Sequence, residues 1–487
     1  MSSNKRIARN LMVSVFGEGF GALINIYIIV LIARQLGPET FGEFSFILAF
    51  VGLLQLITDM GIANLLIREI SLKREDFAKI MGNVRVLTWL LTSVVVVVTA
   101  IICLQVLEDK TFGLNLLVMT LAAMVTLHIV TYGALFRAFE RMEFTSAFFV
   151  IHKIILLSLV YYWINSDPTL LRLCSFYLIA NCCQFLMLYI SSIIVFQRIK
   201  WLVDLSFWKY LIVEAVPVGL SMLLRKTTLH VDTILLSVLA SPIALGLFSA
   251  AYRIIQIVEM LPFTFSIPMY PKLTRLANED HNEFVVFLNQ ILKFYILVAL
   301  PMMAYLFVFA DQIVGLMYTA EYEQSAAILQ ALSIAVFFIF PSSIMVYVYT
   351  ALNRQRLFTI ISAALLVTNA TLDIILIPIY GAFGAAMGTI VAEALFIVTS
   401  VIFLRQYSIH VKLIRISYKP LFCAVIAGLG VTYLLSFDGV IQLVVGSLLF
   451  GVIYLLAVVV TKALNADEIN FMLSLVKRKN AVGSESD

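Results

Sequence analysis

Five ionisable residues stand within two long apolar stretches of the sequence. They are Arg225, Lys226, His230, Asp232 and Arg253. A charged side chain at the centre of a transmembrane helix costs roughly 2.5–3.5 kcal/mol on insertion scales, so such residues usually have a function. Arginine forms forked hydrogen bonds to phosphate oxygens, and lysine supplies a compact positive charge. The pattern predicts a polar cavity with a cationic wall that meets an anionic ligand.

Helical spacing assigns these residues to two neighbouring faces of one helix. Arg225 and Asp232 lie close to one face, and Lys226 and His230 lie on the next. Gln256 follows Arg253 by three residues on the adjoining helix and therefore shares its side. A structural contact between Arg225 and Asp232, with Lys226 snorkelling, is the alternative. The predicted substrate-binding residues are Arg225, Lys226, His230, Arg253 and Gln256.

Carboxylates within apolar stretches are candidates for coupling to a proton or sodium gradient. The candidates are Glu18, Asp59, Asp232 and Asp373, with Glu393 as a further one. Structural hydrogen bonding is the alternative for each. Lys153 and Lys293 are interpreted as snorkelling residues near the cytoplasmic ends of predicted spans 5 and 9.

The composition indicates an integral membrane protein. The 487 residues are 62% hydrophobic and 13% charged, whereas soluble domains have about 45–50% apolar and about 25% charged residues. A bilayer is crossed by about 20 apolar residues, which gives about fourteen spans with short connections. A net charge of +4, without a basic patch, does not indicate a nucleic-acid partner.

Basic residues are distributed unequally between alternate connections. With the N-terminus in the cytoplasm, the outer connections carry only Arg34 and Lys110. The cytoplasmic connections carry many more basic residues, among them Arg85, Lys412, Arg415 and Lys419. The positive-inside rule then places both termini in the cytoplasm.

An internal repeat is visible in the sequence. Gly37–Ser45 (GPETFGEFS) matches Ser241–Ser249 (SPIALGLFS), and Ala134–Arg137 matches Ala351–Arg354. The repeat makes span 1 equivalent to span 7, so the two copies have the same orientation. The predicted fold is an all-α membrane protein with two parallel six-helix lobes, residues 1–200 and 201–410. Two extra helices and a cytoplasmic tail follow in residues 411–487.

Prolines are concentrated in the second copy, where Pro217, Pro262 and Pro268 fall within spans 7 and 8. Proline removes a helical hydrogen bond and permits a kink. We therefore expect bending in these two spans during the working cycle.

Catalytic and nucleotide-binding motifs are absent from the sequence. It has no P-loop, no G-x-S-x-G and no H-E-x-x-H. The five cysteines all lie in apolar stretches and form no C-x-x-C pattern. We therefore expect no enzymatic activity, no cofactor and no metal site, and energy must come from an ion gradient or from the ligand's own gradient.

Four sequence stretches carry a resemblance to a known family. These are LIARQLGPETFGEFSFILAF, LITDMGIANLLIRE, VDTILLSVLASPIALGLFSAAYRI and MYPKLTRL. They resemble the polysaccharide-biosynthesis flippases of the multidrug/oligosaccharidyl-lipid/polysaccharide exporter superfamily. The resemblance implies transport of undecaprenyl-diphosphate-linked oligosaccharides, such as O-antigen units, across the bacterial inner membrane by alternating access. Arg225, Lys226 and Arg253 suit the diphosphate.

The resemblance also implies binding partners, and it leaves alternative functions open. The partners are the lipid-linked oligosaccharide, membrane lipids, H⁺ or Na⁺, and the polysaccharide polymerase machinery. His230 departs from the family, whose members often have arginine there, and a histidine would make the cavity charge sensitive to pH. The alternatives are a multidrug or organic-cation antiporter, a membrane polysaccharide polymerase, and a flippase for a peptidoglycan precursor.

Overall fold

A computed structural model describes the backbone of residues 3–105, 108–166, 168–196, 199–434 and 439–464. Among these, the side chains at 3–16, 18, 215–222, 225, 226, 229, 263, 267 and 439–441 lie outside the described residues. Every regular element in the described ranges is a helix. The α-helices are α1 (Ser3–Asp59), α2 (Ile62–Leu72), α3 (Phe77–Gln105), α4 (Lys110–Ala138), α5 (Met142–Ile164), α6 (Leu170–Phe196), α7 (Leu205–Leu239), α8 (Pro242–Glu279), α9 (His281–Val308), α10 (Ala310–Met317), α11 (Ser325–Ala351), α12 (Gln355–Tyr380), α13 (Ala382–Arg405), α14 (Leu413–Leu434) and α15 (Gly439–Val460).

Twelve segments among the described residues are long and apolar enough to cross a membrane. The first, Gly19–Leu72, has 54 residues, enough for two crossings at about 20 residues each. Helix α7 has 35 residues. Its apolar segment among the described residues, His230–Leu239, is shorter than a membrane span. The all-helical membrane fold is confirmed. The predicted count of fourteen stays a prediction that requires two crossings by Gly19–Leu72 and one by α7.

Both copies of the first repeated motif begin a helical segment at a proline. Gly37 has φ 70° and ψ 171°, a backbone conformation that favours glycine, and it breaks α1 directly before Pro38. In the second copy, the Ser241 hydroxyl accepts a hydrogen bond from the Ala244 N–H at 3.2 Å. Pro242 then occupies the first turn of α8.

The second repeated motif lies where α4 and α11 end, and these two helix ends have the same turn. Arg141 N–H donates to the Phe136 carbonyl at 2.9 Å, and Arg354 N–H donates to the Tyr349 carbonyl at 2.7 Å. Each turn has a residue with positive φ, Glu140 or Asn353. The structure thus favours pairing Arg141 with Arg354. The sequence match instead pairs Arg354 with Arg137, which lies about one helical turn before Arg141.

The chain divides into two compact units, Met1–Ser237 (unit 1) and Val238–Asp487 (unit 2). In unit 1, α4 packs against α2, α3 and α6, and α5 packs against α1 and α6. In unit 2, α11 packs against α8, α9 and α13, while α14 packs against α9 and α15. The predicted domain boundaries at residues 200 and 410 stay predictions.

Arg85 is a buried residue of unit 1, although its charge was counted in a cytoplasmic connection of the predicted topology. It lies two turns inside α3 and is 4% exposed. Its guanidinium donates to the Ile199 carbonyl at 3.1 Å and to the Tyr132 hydroxyl at 3.4 Å. It also lies 4.1 Å from the centroid of the Trp201 ring. The interpretation as a loop charge is therefore wrong, because α3 begins earlier than the apolar run suggests.

Helix α8 contains Pro262, Pro268 and Pro271, and the first two of these are among the prolines behind the predicted bending. The Pro262 carbonyl accepts hydrogen bonds from the Ser266 hydroxyl at 2.8 Å and from the Tyr295 hydroxyl at 2.9 Å. These buried contacts tie α8 to α9 beside the first proline. Bending in spans 7 and 8 stays a prediction.

Candidate functional site

Arg253 and Gln256 lie side by side on α8, as their spacing predicts. Arg253 Nη1 donates to Gln256 Oε1 at 2.9 Å. Both side chains are half-buried, and the candidate span around them runs from Pro242 to Ser266. The hydrogen bond orients one edge of the guanidinium, whose five N–H donors lie in one plane. This pair is the most completely described part of the predicted cationic wall.

Tyr318, which follows α10, is a neighbour of Arg253 that the sequence analysis missed. Its hydroxyl donates to the Ala250 carbonyl at 3.0 Å, one turn before Arg253. Burial raises the pKa of Tyr318 above its ordinary value, and the positive charge of Arg253 acts in the opposite direction. No local signal identifies this residue, because it stands in a connection 65 positions along the chain from Arg253.

The predicted α7 cluster is described only in part. Asp232 is 3% exposed and His230 is half-buried. A methyl group placed on Gly52 of α1 would lie 3.3 Å from His230 Nε2, so the glycine permits the imidazole to approach α1 closely. The side chains of Arg225 and Lys226 lie outside the described residues, and their contribution to a cationic wall stays a prediction.

Of the two acidic candidates on α1, only Asp59 has a described side chain. The side chain of Glu18 lies outside the described residues. Asp59 Oδ1 accepts a hydrogen bond from the Ala63 N–H at 3.3 Å, across the turn that separates α1 from α2. This contact favours the structural alternative for Asp59, whose ion-coupling role remains a prediction.

Lys153 is a cation inside unit 1 rather than a snorkelling residue at a helix end. It stands near the middle of α5, and its Nζ donates to Asn25 Oδ1 on α1 at 2.8 Å. The neighbouring His152 contacts Asn181 Oδ1 through Nε2 at 2.9 Å. The snorkelling interpretation of Lys153 is wrong because the side chain has a polar partner within the helix bundle.

Asp373 lies in a buried polar cluster where α12 packs against α13. Asp373 and Asn369, one turn apart on α12, are 0% and 1% exposed. Gly388 of α13 faces them so closely that a Cβ there would collide with Asp373 Oδ1. Thr389 and Glu393, also on α13, are 8% and 7% exposed. Asp373 and Glu393 are among the candidates predicted from the sequence, whereas Asn369 and Gly388 are not.

The described residues contain no group of three or more His, Cys, Asp or Glu side chains arranged to hold a metal ion. The polar cluster around Asp373 instead offers a carboxylate and the Asn369 amide. Such oxygen ligands suit hard cations or a proton.

Comparisons with known protein families give two matches. A family model described as "Polysaccharide biosynthesis protein" matches residues 7–277, more than half of the chain. A second model, MatE, matches residues 217–379. A search of curated proteins finds no match.

Solved structures share the fold at low sequence identity. "Lipid II flippase MurJ, inward closed conformation" has a TM-score of 0.79 at 16% identity and covers 92% of this chain and 98% of that one. An inward-facing multidrug resistance MATE family transporter has a TM-score of 0.64 at 13% identity, covering 80% and 94%. A MOP superfamily transporter from Pyrococcus furiosus, described with a binding pocket of reverse polarity, has a TM-score of 0.55 at 15% identity, covering 83% and 95%.

These identities support the fold alone, and the family model supplies the membership. The chain belongs to the polysaccharide biosynthesis protein family and has the all-helical, multi-pass membrane fold of these solved structures.

Proposed function

We propose that the protein flips undecaprenyl-diphosphate-linked oligosaccharide units across the bacterial cytoplasmic membrane by alternating access. The observation that carries this proposal is Arg253, a half-buried cation within an apolar candidate span, oriented by Gln256 at 2.9 Å. A diphosphate carries fixed negative charge, and arginine binds phosphate oxygens through paired hydrogen bonds. The lipid tail can stay in the bilayer while the head group crosses, so no covalent step is required.

The comparisons support a lipid-linked cargo. The matching family is described by polysaccharide biosynthesis, and one structure with this fold is named a lipid II flippase. We propose membrane lipids and polysaccharide polymerase machinery as partners, with both termini in the cytoplasm. Arg225, Lys226 and His230 of α7 are proposed as further substrate-binding residues.

We propose that Asp373 couples transport to an H⁺ or Na⁺ gradient. Its carboxylate is fully buried beside the Asn369 amide, and a charge within a membrane bundle is usually retained for function. Glu18, Asp59 and Asp232 are additional proposed coupling residues. For Asp59, the hydrogen bond from the Ala63 N–H also fits a structural role.

The coupling proposal predicts a change in the gradient dependence of flux. Asp373→Asn should remove the several-fold stimulation of flux by an imposed ion gradient in reconstituted vesicles, because an amide neither binds a proton nor carries charge. Asp311→Asn, at an exposed position of α10, is the control and should respond like the wild type. An unchanged gradient response of Asp373→Asn would exclude this residue from coupling.

An organic-cation antiporter is the second candidate function. The MatE match over residues 217–379 and the MATE transporter structures favour it. A cavity for cations should be acidic, and Arg253 argues against that polarity. A polysaccharide polymerase is less well supported, because the connection between α9 and α11 carries no arginine or histidine for such chemistry.

A substrate panel tests the proposed function. Vesicles containing the purified full chain would be loaded with a fluorescent undecaprenyl-diphosphate oligosaccharide or with a fluorescent organic cation. An impermeant quencher would report movement of the lipid between leaflets, and release would report movement of the cation. We expect flipping of the lipid and no transport of the cation. Cation transport without lipid flipping would support the antiporter and refute the flippase.

A further inference from the structure

A basic cavity of about 620 Å³ lies between α9, the start of α14 and the end of α15. All its lining residues belong to unit 2. The basic side chains that line it are Lys293, Lys412, Arg415, Lys419 and Lys462, with His410 beside them. No aspartate or glutamate lines it among the residues that the structure describes. Such a concentration of positive charge in one lining favours an anionic ligand.

Hydrogen bonds between the surrounding segments hold the walls of this cavity in place. Asn289 of α9 donates through Nδ2 to the His410 carbonyl at 3.1 Å and accepts from the Lys412 N–H at 3.2 Å. Lys419 Nζ donates to the Lys462 carbonyl at 3.0 Å. The three segments that supply the cations are therefore connected directly, and the positive charges are brought together before a ligand binds.

An exposed apolar face of α14 extends from the cavity. It begins at Tyr418, which lines the cavity, and continues at intervals of three or four residues. The face consists of Tyr418 at 57% exposure, Phe422 at 58%, Val425 at 48%, Leu429 at 65% and Tyr433 at 91%. This spacing puts the side chains on one side of the helix. A ligand that fits both features has an anionic head and an apolar tail.

We propose that this cavity binds the phosphate head group of an anionic phospholipid, with its acyl chains along the exposed face of α14. Basic pockets between transmembrane helices on the cytoplasmic side are known to bind anionic head groups. Under the predicted topology the cavity opens to the cytoplasm, where Lys412, Arg415 and Lys419 contribute to the positive-inside asymmetry. The site is independent of the proposed transport cargo.

Lipid selectivity of the purified full chain tests this proposal. The detergent-solubilised protein would be incubated with equimolar phosphatidylglycerol and phosphatidylcholine, and bound lipid would be measured by native mass spectrometry. We expect the wild type to retain phosphatidylglycerol preferentially. Each lysine or arginine near an anionic surface contributes about a fivefold effect, so Lys412→Gln with Arg415→Gln should weaken this binding roughly 25-fold. The pair Arg356→Gln and Arg405→Gln is the matched control, since both residues are exposed in unit 2 and outside the cavity.

Four outcomes would overturn the proposal. A wild type without preference for phosphatidylglycerol would refute the anionic site, and this measurement needs no variant. Equal lipid retention by the cavity variant and the wild type, or equal loss in the control pair, would remove the assignment to these residues. Displacement of phosphatidylglycerol by an equal concentration of inorganic phosphate would identify a free-anion site and refute the lipid.

Discussion

Arg85 and Lys153 show how single cations are held within unit 1. Arg85 has carbonyl, hydroxyl and aromatic partners, and Lys153 has the Asn25 amide. A buried charge is tolerated when hydrogen bonds replace its lost hydration. These two cations therefore contribute to the packing of the helices that surround them.

Replacing Arg85 with methionine should destabilise the protein. Methionine retains much of the apolar volume, but it removes two hydrogen bonds to a charged group and the contact with Trp201. At about 1.5–3 kcal/mol for each charged hydrogen bond, we expect a loss of roughly 3–6 kcal/mol. Thermal unfolding in detergent measures it, with Arg356→Met at an exposed position of α12 as the control. An unfolding temperature equal to that of the wild type would contradict the assigned contacts.

Asp204 caps α7 and gives a prediction with a defined pH dependence. Its carboxylate accepts hydrogen bonds from the Ser206 hydroxyl and from the Phe207 and Ser206 N–H groups, which lower its pKa below the ordinary 3.8. A lowered pKa means that the stabilisation is complete above pH 3.8 and is lost as the pH falls through the lower folded value. Asp204→Ala should speed amide exchange at the start of α7 at pH 7, and the difference from the wild type should vanish in strong acid. A difference that is unchanged in strong acid would refute the ionised cap.

At the scale of helices, the contact between α12 and α13 depends on Gly388. A side chain there would occupy the space of the Asp373 carboxylate. The repeat, the membrane character and most helices could be predicted from apolar length and motif. The partners across this contact could not, because helical periodicity identifies the face of a residue but not the helix that packs against it.

Gly388→Ala should reduce stability and flux together. Overpacking costs about 1–3 kcal/mol, and the displaced Asp373 would lose its geometry. Gly451→Ala on α15 is the control, since nothing lies within 4 Å of a Cβ there. It should be neutral or stabilising by up to about 1 kcal/mol, because alanine favours a helix. Equal melting temperatures and flux for Gly388→Ala and the wild type would contradict the described contact.

At the scale of the whole molecule, the sequence predicted an all-helical membrane protein with a duplicated organisation. Arg253 and Gln256 could be paired from their spacing alone, since residues three positions apart on a helix lie on the same side. Lys153 could not be assigned correctly, because its partner Asn25 is 128 positions away along the chain. Tyr318 was missed for the same reason. Sequence reasoning thus identified local pairs and helices, while contacts between distant helices required the structure.

The charge at position 253 provides the most direct test of the proposed flippase. In vesicles with a fluorescent undecaprenyl-diphosphate oligosaccharide, Arg253→Glu should reduce the flipping rate at least about tenfold, because it replaces charge-assisted hydrogen bonds with repulsion. Arg253→Lys should retain part of the rate. Arg275→Glu, an exposed position at the far end of the same helix, should match the wild type. Flipping by Arg253→Glu at the wild-type rate would contradict the assignment of a cationic wall to this helix.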